Sequence, residues 1–349
     1  MRTIAVLTSG GDAPGMNTAI RTVAKVAASA GIAVVGVEAG YEGLMEGRLR
    51  ALPLREVDTI GHEGGTVLGS ARSAAFRTRE GRLRAARRLK EADISGLIVI
   101  GGNGSLTGAH LLATETGTQV VGLPASIDND IGATSTAIGV DTALNTIVEA
   151  CDRISDTARA HHRAFVVEVM GRDCGYLAMA SAAAVGADAV LFRERGQTEA
   201  EVVAAVEATI RRGFSSERDK RRVLVIKAEG VEVPCTRLVR LLQARIPGAE
   251  IRATVLGHLV RGGNPSFQDR LVASRLSLTA VHALLSGSTD VMMAWQPNAP
   301  GGTPTGDDAV QSFPLAAVLA ETAALLDGSS PVTQRRVKML MAIEGVLSL

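Results

Sequence analysis

Ile4-Ala-Val-Leu-Thr-Ser-Gly-Gly-Asp-Ala-Pro-Gly-Met-Asn17 is the stretch whose reading decides the fold. Ile4–Thr8 is a short, β-rich apolar run, and it breaks at Ser9-Gly10-Gly11. A helical pattern follows from about Met16 to Ala30, closed by Gly31, where a left-handed residue commonly ends a helix. The same phrase recurs downstream. Ala33–Glu38 reads as the next strand. Leu97–Ile100 ends in Gly101-Gly102-Asn103-Gly104-Ser105 and a further helix, and Val120–Leu123 ends in Pro124. Ala164–Met170 and Val223–Ala228 repeat the pattern, and Tyr176–Phe192 reads as a buried helix followed by a strand. Strands alternating with crossover helices predict an α/β protein: two doubly wound domains with mostly parallel sheets. Such sheets bind ligands just outside the carboxyl ends of their strands.

Composition narrows the function. At 349 residues the chain is long enough for about two domains. Lys+Arg is 37 and Asp+Glu 36, and this balance argues against a dedicated nucleic-acid or anionic-membrane binder. Aromatic residues make up 3%, too few for base-stacking platforms. Cys151, Cys174 and Cys235 are far apart and odd in number, giving no disulfide framework or metal knuckle, so a reducing, cytoplasmic setting is expected. The first apolar run is too short for a secretory signal. The seven basic residues between Arg77 and Lys90 are expected mostly to coat a solvated helix face.

Chemistry-bearing residues cluster after the predicted strands. Paired glycines at Gly10-Gly11 and again in Gly101–Ser105 let backbone N–H groups approach phosphate, with a helix N-terminus adding positive potential. A tight structural turn explains either loop alone equally well. Neither is a P-loop or a GxGxxG dinucleotide turn. Pro124-Ala-Ser-Ile-Asp-Asn-Asp130 sets Asp128 and Asp130 two apart, one to accept a hydroxyl proton and the other to orient a metal or an arginine; an Asx-turn is the structural alternative. Met170-Gly171-Arg172, Arg163, Arg252, His258 and Arg261 supply groups suited to phosphate oxygens.

Taken together, these strings resemble the phosphofructokinase family at bacterial length, over roughly residues 2–280. They are Leu7-Thr-Ser-Gly-Gly-Asp-Ala-Pro-Gly-Met-Asn17, Gly69-Ser-Ala-Arg72, Gly101-Gly-Asn-Gly-Ser105, Ile127-Asp-Asn-Asp130, Val169-Met-Gly-Arg172 and Leu256-Gly-His-Leu-Val-Arg-Gly-Gly263. The resemblance implies ATP-dependent phosphoryl transfer, with Mg²⁺, to the 1-hydroxyl of fructose 6-phosphate. It makes Asp128 the base, flanked by Ser126 and Asp130. Gly11, Tyr41, Arg72, Ser73, Gly102, Asn103, Gly104 and Ser105 would line the nucleotide site, with Arg72 touching the moving phosphoryl group and Asn103 at the metal. Met170, Gly171, Arg172, Glu229, His258 and Arg261 would hold the sugar phosphate. Arg163 and Arg252 would reach the sugar phosphate of a neighbouring subunit in a homotetramer. The implied division is a nucleotide domain over 1–138, with about 254–305 returning to it, a sugar-phosphate domain over 139–253, and C-terminal helices over 306–349. Within that last stretch and just before it, Pro297–Gly306 reads as a loop, and Ala316–Leu326 and Gln334–Glu344 as helices.

Two of the motifs depart from the family pattern. The metal loop usually reads Gly-Gly-Asp-Gly, but Asn103 stands here, and Ala125-Ser126 replaces Gly-Thr. Pyrophosphate-using relatives tend to carry Asp at the Gly104 position and Lys at the Ala125 position. Neither is present, which favours ATP over the alternatives of a pyrophosphate-dependent enzyme or a kinase of another ketose phosphate. A non-catalytic sugar-phosphate sensor is disfavoured because Asp128, Asp130, Arg72 and Arg172 are all present. Arg21, Lys25 and Arg55 match basic effector-binding positions, but Ser155 stands where an arginine is expected, so altered nucleotide control is implied.

Overall fold

The computed structural model describes residues 3–297 and 301–347. Residues 298–300, inside the loop expected over Pro297–Gly306, lie outside the described residues. In chain order the first elements are β1 (Thr3–Ser9), α1 (Met16–Ser29), β2 (Ala33–Val37), α2 (Gly40–Glu46), β3 (Leu49–Ala51), α3 (Leu54–Ile60), α4 (Arg79–Glu91), β4 (Gly96–Gly101), α5 (Asn103–Thr116) and β5 (Val120–Pro124). Then come α6 (Val140–His161), β6 (Arg163–Val169), α7 (Tyr176–Val185), β7 (Ala189–Leu191), α8 (Glu199–Gly213), β8 (Arg222–Ala228), α9 (Cys235–Arg245) and β9 (Glu250–Val255). The chain closes with α10 (Phe267–Leu285), β10 (Val291–Trp295), β11 (Thr303–Pro304), β12 (Val310–Pro314), α11 (Leu315–Asp327) and α12 (Pro331–Leu347).

The chain forms two compact units, 1–142 with 261–323, and 143–260 with 324–349. It passes between them three times, consistent with the lack of a linker in the sequence. The segment after 306, read from sequence as C-terminal helices, is divided. β12 and most of α11 belong to the first unit and α12 to the second. β12 pairs antiparallel with β10, so this stretch extends the sheet rather than standing apart. Val310 and Leu315 are fully buried, which is why residues that show little periodicity are held as strand and helix start.

The first unit holds an eight-stranded sheet in the order β11-β12-β10-β5-β4-β1-β2-β3. Its central strands are parallel and almost wholly apolar, as a sheet covered on both faces requires. Glycines mark where helices press closest. A methyl on Gly96 would strike Leu284 of α10, and one on Gly122 would strike Leu106 of α5. Gly122 is in register with Val99, an odd position of β4, whereas Gly96 is even, so α10 and α5 cover opposite faces. The register also sets Ser9, Gly101 and Pro124 side by side, so the loops after β1, β4 and β5 leave the sheet at one level. The order in which strands are added reverses between β1 and β4, the switch point at which open α/β sheets form their crevice.

The second unit has a four-stranded parallel sheet, β7-β8-β6-β9. Ala164, Val166, Val225 and Ile251 face Val203, Val206 and Ile210 of α8 and Leu238 and Leu242 of α9 in one apolar cluster. α7 packs on β8 and is backed by α12. Val169 pairs with Ala228 and Glu168 with Val255, so Met170, Glu229 and Leu256 also leave at one level. Among the described residues, no helix is long and apolar enough to cross a membrane.

Candidate active site

In the first unit three loops converge. The turn after β1 carries Gly10 with φ +88°, a left-handed geometry that glycine adopts without strain. A Cβ on Gly11 would lie 2.9 Å from the Arg261 guanidinium, so the glycine lets that side chain pass. Arg261 Nη1 donates to the Asp12 carbonyl at 3.2 Å, and its Nη2 lies 3.8 Å from Asp128 Oδ1. Asp128 is 3% exposed and Asp130 8%. Ser126 Oγ accepts from the Asp128 N–H at 3.3 Å and donates to Asp130 Oδ1 at 3.3 Å. Asn129 adopts φ +50°; its amide donates to the Ser135 carbonyl and accepts from the Ala137 N–H, pinning the loop between the two acids.

The loop after β4 opens α5, with Gly102 as its N-cap. Asn103 is its first residue, and its Nδ2 donates to Asp130 Oδ2 at 2.8 Å and to the Asp130 carbonyl at 3.3 Å. Asn103 Oδ1 is buried and has no hydrogen-bond partner among the described residues. Gly104 is exposed, and a Cβ there would meet nothing within 4 Å. The third side is the segment after α3. Thr8 Oγ1 donates to the Gly69 carbonyl at 2.8 Å, and Ser70 Oγ donates to the Gly10 carbonyl. These bonds tether the segment that carries Arg72, which is exposed, and Ser73, whose Oγ accepts from the Phe76 N–H.

Tyr41 reaches the glycine loop through backbone. Its hydroxyl donates to the Ser105 carbonyl at 2.6 Å, and its ring stacks on Phe76 at 3.8 Å. Burial pushes the phenol above its usual pKa, which favours the protonated, donating form.

The structure adds Arg82 to this scaffold, the exception to a basic run that is otherwise solvated as expected. Arg82 belongs to the basic run between Arg77 and Lys90, and the other six members are exposed. It is instead buried, paired with Glu115 at 2.7 and 2.8 Å, and it donates to the Phe76 and Arg77 carbonyls. Its spacing from buried Ala85 and Leu89 places it on the apolar face of α4, a signal the sequence did carry. Arg82→Ala leaves Glu115 and two carbonyls without this donor. It is expected to lower the melting temperature by about 5–10 °C in a thermal scan.

A second cluster forms in the second unit. Glu229 Oε1 accepts from the Gly171 N–H at 3.1 Å and the Arg172 N–H at 2.6 Å. These two residues have φ +142° and +50°, so Glu229 holds a turn that the backbone would not otherwise favour. Met170 is buried, whereas Arg172 and His258, which follows β9, are exposed. Arg163 and Arg252 do not join this cluster. Arg163 starts β6 and the Met170–Arg172 turn ends it, about 20 Å apart along a seven-residue strand. Arg163 pairs with Glu250 at 2.7 Å, holding that carboxyl below its usual range, and Arg252 shares the same partner.

Of the effector-type positions, Arg21 and Lys25 both pair with Asp58, and Ser155 is buried. The residues that sequence reasoning missed outright include Asp269. It is 1% exposed and accepts from the N–H groups of Gly139 and Thr142, so a side chain of α10 caps the start of α6. Burial raises its pKa.

A sequence profile described as Phosphofructokinase matches residues 3–284. The chain belongs to the phosphofructokinase family. Among family members, the ATP-dependent 6-phosphofructokinase of Thermotoga neapolitana is 47% identical over 298 residues, 85% of this chain and 91% of that one. ATP-dependent 6-phosphofructokinase 1 of Thermus thermophilus is 44% identical over 294 residues, 84% of this chain and 89% of that one. Phosphofructokinase from Saccharomyces cerevisiae superposes with a TM-score of 0.86 at 32% identity, covering 99% of this chain and 50% of that one. A pyrophosphate-dependent phosphofructokinase from Marinobacter aquaeolei has a TM-score of 0.79 at 19% identity, covering 97% of this chain and 91% of that one, a likeness of fold alone.

Proposed function

We propose that the chain is an ATP-dependent 6-phosphofructokinase that moves the γ-phosphoryl group of ATP to the 1-hydroxyl of fructose 6-phosphate. The observation that carries this is the buried Asp128, fixed at the end of β5 one strand away from the open glycine loop of β4. Asp128 takes the proton of the attacking hydroxyl as the new P–O bond forms and the bond to the β-phosphate oxygen breaks, releasing ADP. Arg261 lies beside Asp128, its Nη2 3.8 Å from Oδ1. The N–H groups opening α5, with Gly11, cradle the phosphates, and Arg72 reaches the transferring group. Arg172, His258 and the turn held by Glu229 take the sugar phosphate. The absence of Asp at 104 and of Lys at 125 favours ATP as donor.

The residues at the loop ends fit a hard cation. Asn103 Oδ1 is a buried acceptor lacking a partner among the described residues, next to the Asp130 carboxylate. No group of three His, Cys, Asp or Glu able to hold a metal exists among the described residues, so nucleotide oxygens would complete the shell. Asn103 and Asp130 would hold Mg²⁺, which when bound neutralises charge on the phosphates.

Fructose 6-phosphate turnover measured against ATP and against pyrophosphate tests this reading. ATP is expected to support turnover and pyrophosphate little or none; equal or faster rates with pyrophosphate would overturn it. The enzyme is proposed to act in the cytoplasm as a homotetramer with shared sites. In support, Arg163 starts its strand and Arg252, third in β9, is level with Phe165, both well away from the turn they would serve. Arg163→Ala is expected to raise the fructose 6-phosphate KM about tenfold to 100-fold. Mixed and reassembled with an Asp128→Asn variant, it is expected to recover part of the lost rate at low substrate. No recovery would mean that each chain builds its site alone.

A further inference from the structure

We propose that Asn103 determines how far nucleotide binding depends on metal, because its amide does in this chain what a cation must do between two acids. The proposal rests on the reading that the loop after β4 binds ATP. Asp130 has both carboxylate oxygens held, Oδ1 by Ser126 Oγ and Oδ2 by Asn103 Nδ2, and the same amide also grips the Asp130 carbonyl. The first turn of α5 is thereby joined to the loop of Asp128 and Asp130 by neutral donors. Because both partners of Nδ2 are acceptors, the amide is oriented with Oδ1 facing away from Asp130. That buried oxygen, without a partner among the described residues, can bind a cation or a water, and it carries no charge that has to be neutralised first.

An aspartate at this position changes the physics of the joint. Its carboxylate would face Asp130 Oδ2 across the distance that the hydrogen bond now spans, 2.8 Å. Two anions at that separation in a buried loop need a cation or a proton between them. The substitution would also set a third negative charge beside Asp128 and Asp130, in the space the polyphosphate approaches. The loop with Asn103 is therefore assembled without metal, and nucleotide binding depends on metal less than it would with a carboxylate at 103. With a carboxylate in place of the amide, the metal would have to assemble the loop.

The test is calorimetric titration of ATP into the full chain, without fructose 6-phosphate so that no turnover occurs, in EDTA and in excess Mg²⁺. The quantity read is the ratio of the Kd in EDTA to the Kd in Mg²⁺. For Asn103→Asp this ratio is expected to exceed that of the unmodified protein by about tenfold or more. Asn103→Ala, which removes the donor without adding charge, is expected to fall between them. Its melting temperature is expected to gain more from Mg²⁺ with ATP than the unmodified protein's does. Equal ratios for the unmodified protein and Asn103→Ala, or for the unmodified protein and Asn103→Asp, overturn the role of Asn103 while leaving the kinase reading standing. ATP binding to none of the three in either buffer removes the kinase reading, and this proposal with it.

Discussion

Asp128→Asn is expected to lower kcat by about 100-fold to 10,000-fold, the usual worth of a positioned general base. The fructose 6-phosphate KM is expected to change little. The side chain is nearly isosteric, it is 3% exposed, and its neighbours hold the loop from other atoms. Ser126 Oγ accepts from the backbone N–H of residue 128, Asn129 pins the following turn, and Arg261 keeps its bond to the Asp12 carbonyl. The variant therefore removes the proton acceptor while the backbone around it stays held. A fall in kcat with KM preserved marks an interaction made in the transition state. Steady-state kinetics with saturating ATP decide the matter. Unchanged turnover would remove Asp128 from the chemistry, and a large rise in KM alone would make it a binding residue.

Gly104→Asp is expected to abolish ATP use while leaving the fold intact. The position lies in the first turn of α5, where a carboxylate interacts favourably with the helix dipole. A Cβ there meets no atom within 4 Å, and the backbone is not left-handed, so the substitution carries no strain. The melting temperature is expected to stay the same or rise slightly. The open space over Gly104 is the space a polyphosphate would occupy. A fixed negative charge there is expected to weaken ATP binding by about 100-fold in a direct titration. Retained ATP affinity would place the phosphates elsewhere on the sheet.

Much of the scaffold is legible before any coordinates. The apolar runs at Ile4–Thr8, Leu97–Ile100, Val120–Leu123, Ala164–Met170 and Val223–Ala228 each fall on an observed strand to within one residue at either end. They were readable because strands buried on both faces are continuously apolar and end abruptly at glycine or proline. The sequence did not announce β9, β11 or β12. Arg252, Ala253 and Val255 leave β9 largely exposed, and β11 is only two residues long, so neither shows a run of apolar residues. They are strands because a neighbour supplies their hydrogen bonds. Arg82 was not singled out in the sequence for a related reason. Its charge suggested solvent, but the Glu115 carboxylate and two carbonyls replace water around it.

The sequence by itself determined the fold class, the family and the residue types available for phosphoryl transfer, because hydrophobic period and glycine placement are local properties of the chain. Only the tertiary structure decided which of those residues share a level on the sheet, since that depends on the register that aligns Ser9 with Gly101 and Gly101 with Pro124. It likewise decided that Asn103 binds Asp130 and that Arg163 lies a full strand away from the turn at Met170–Arg172. Contacts between residues distant in sequence arise only when strands pair and helices pack, and no local pattern encodes them.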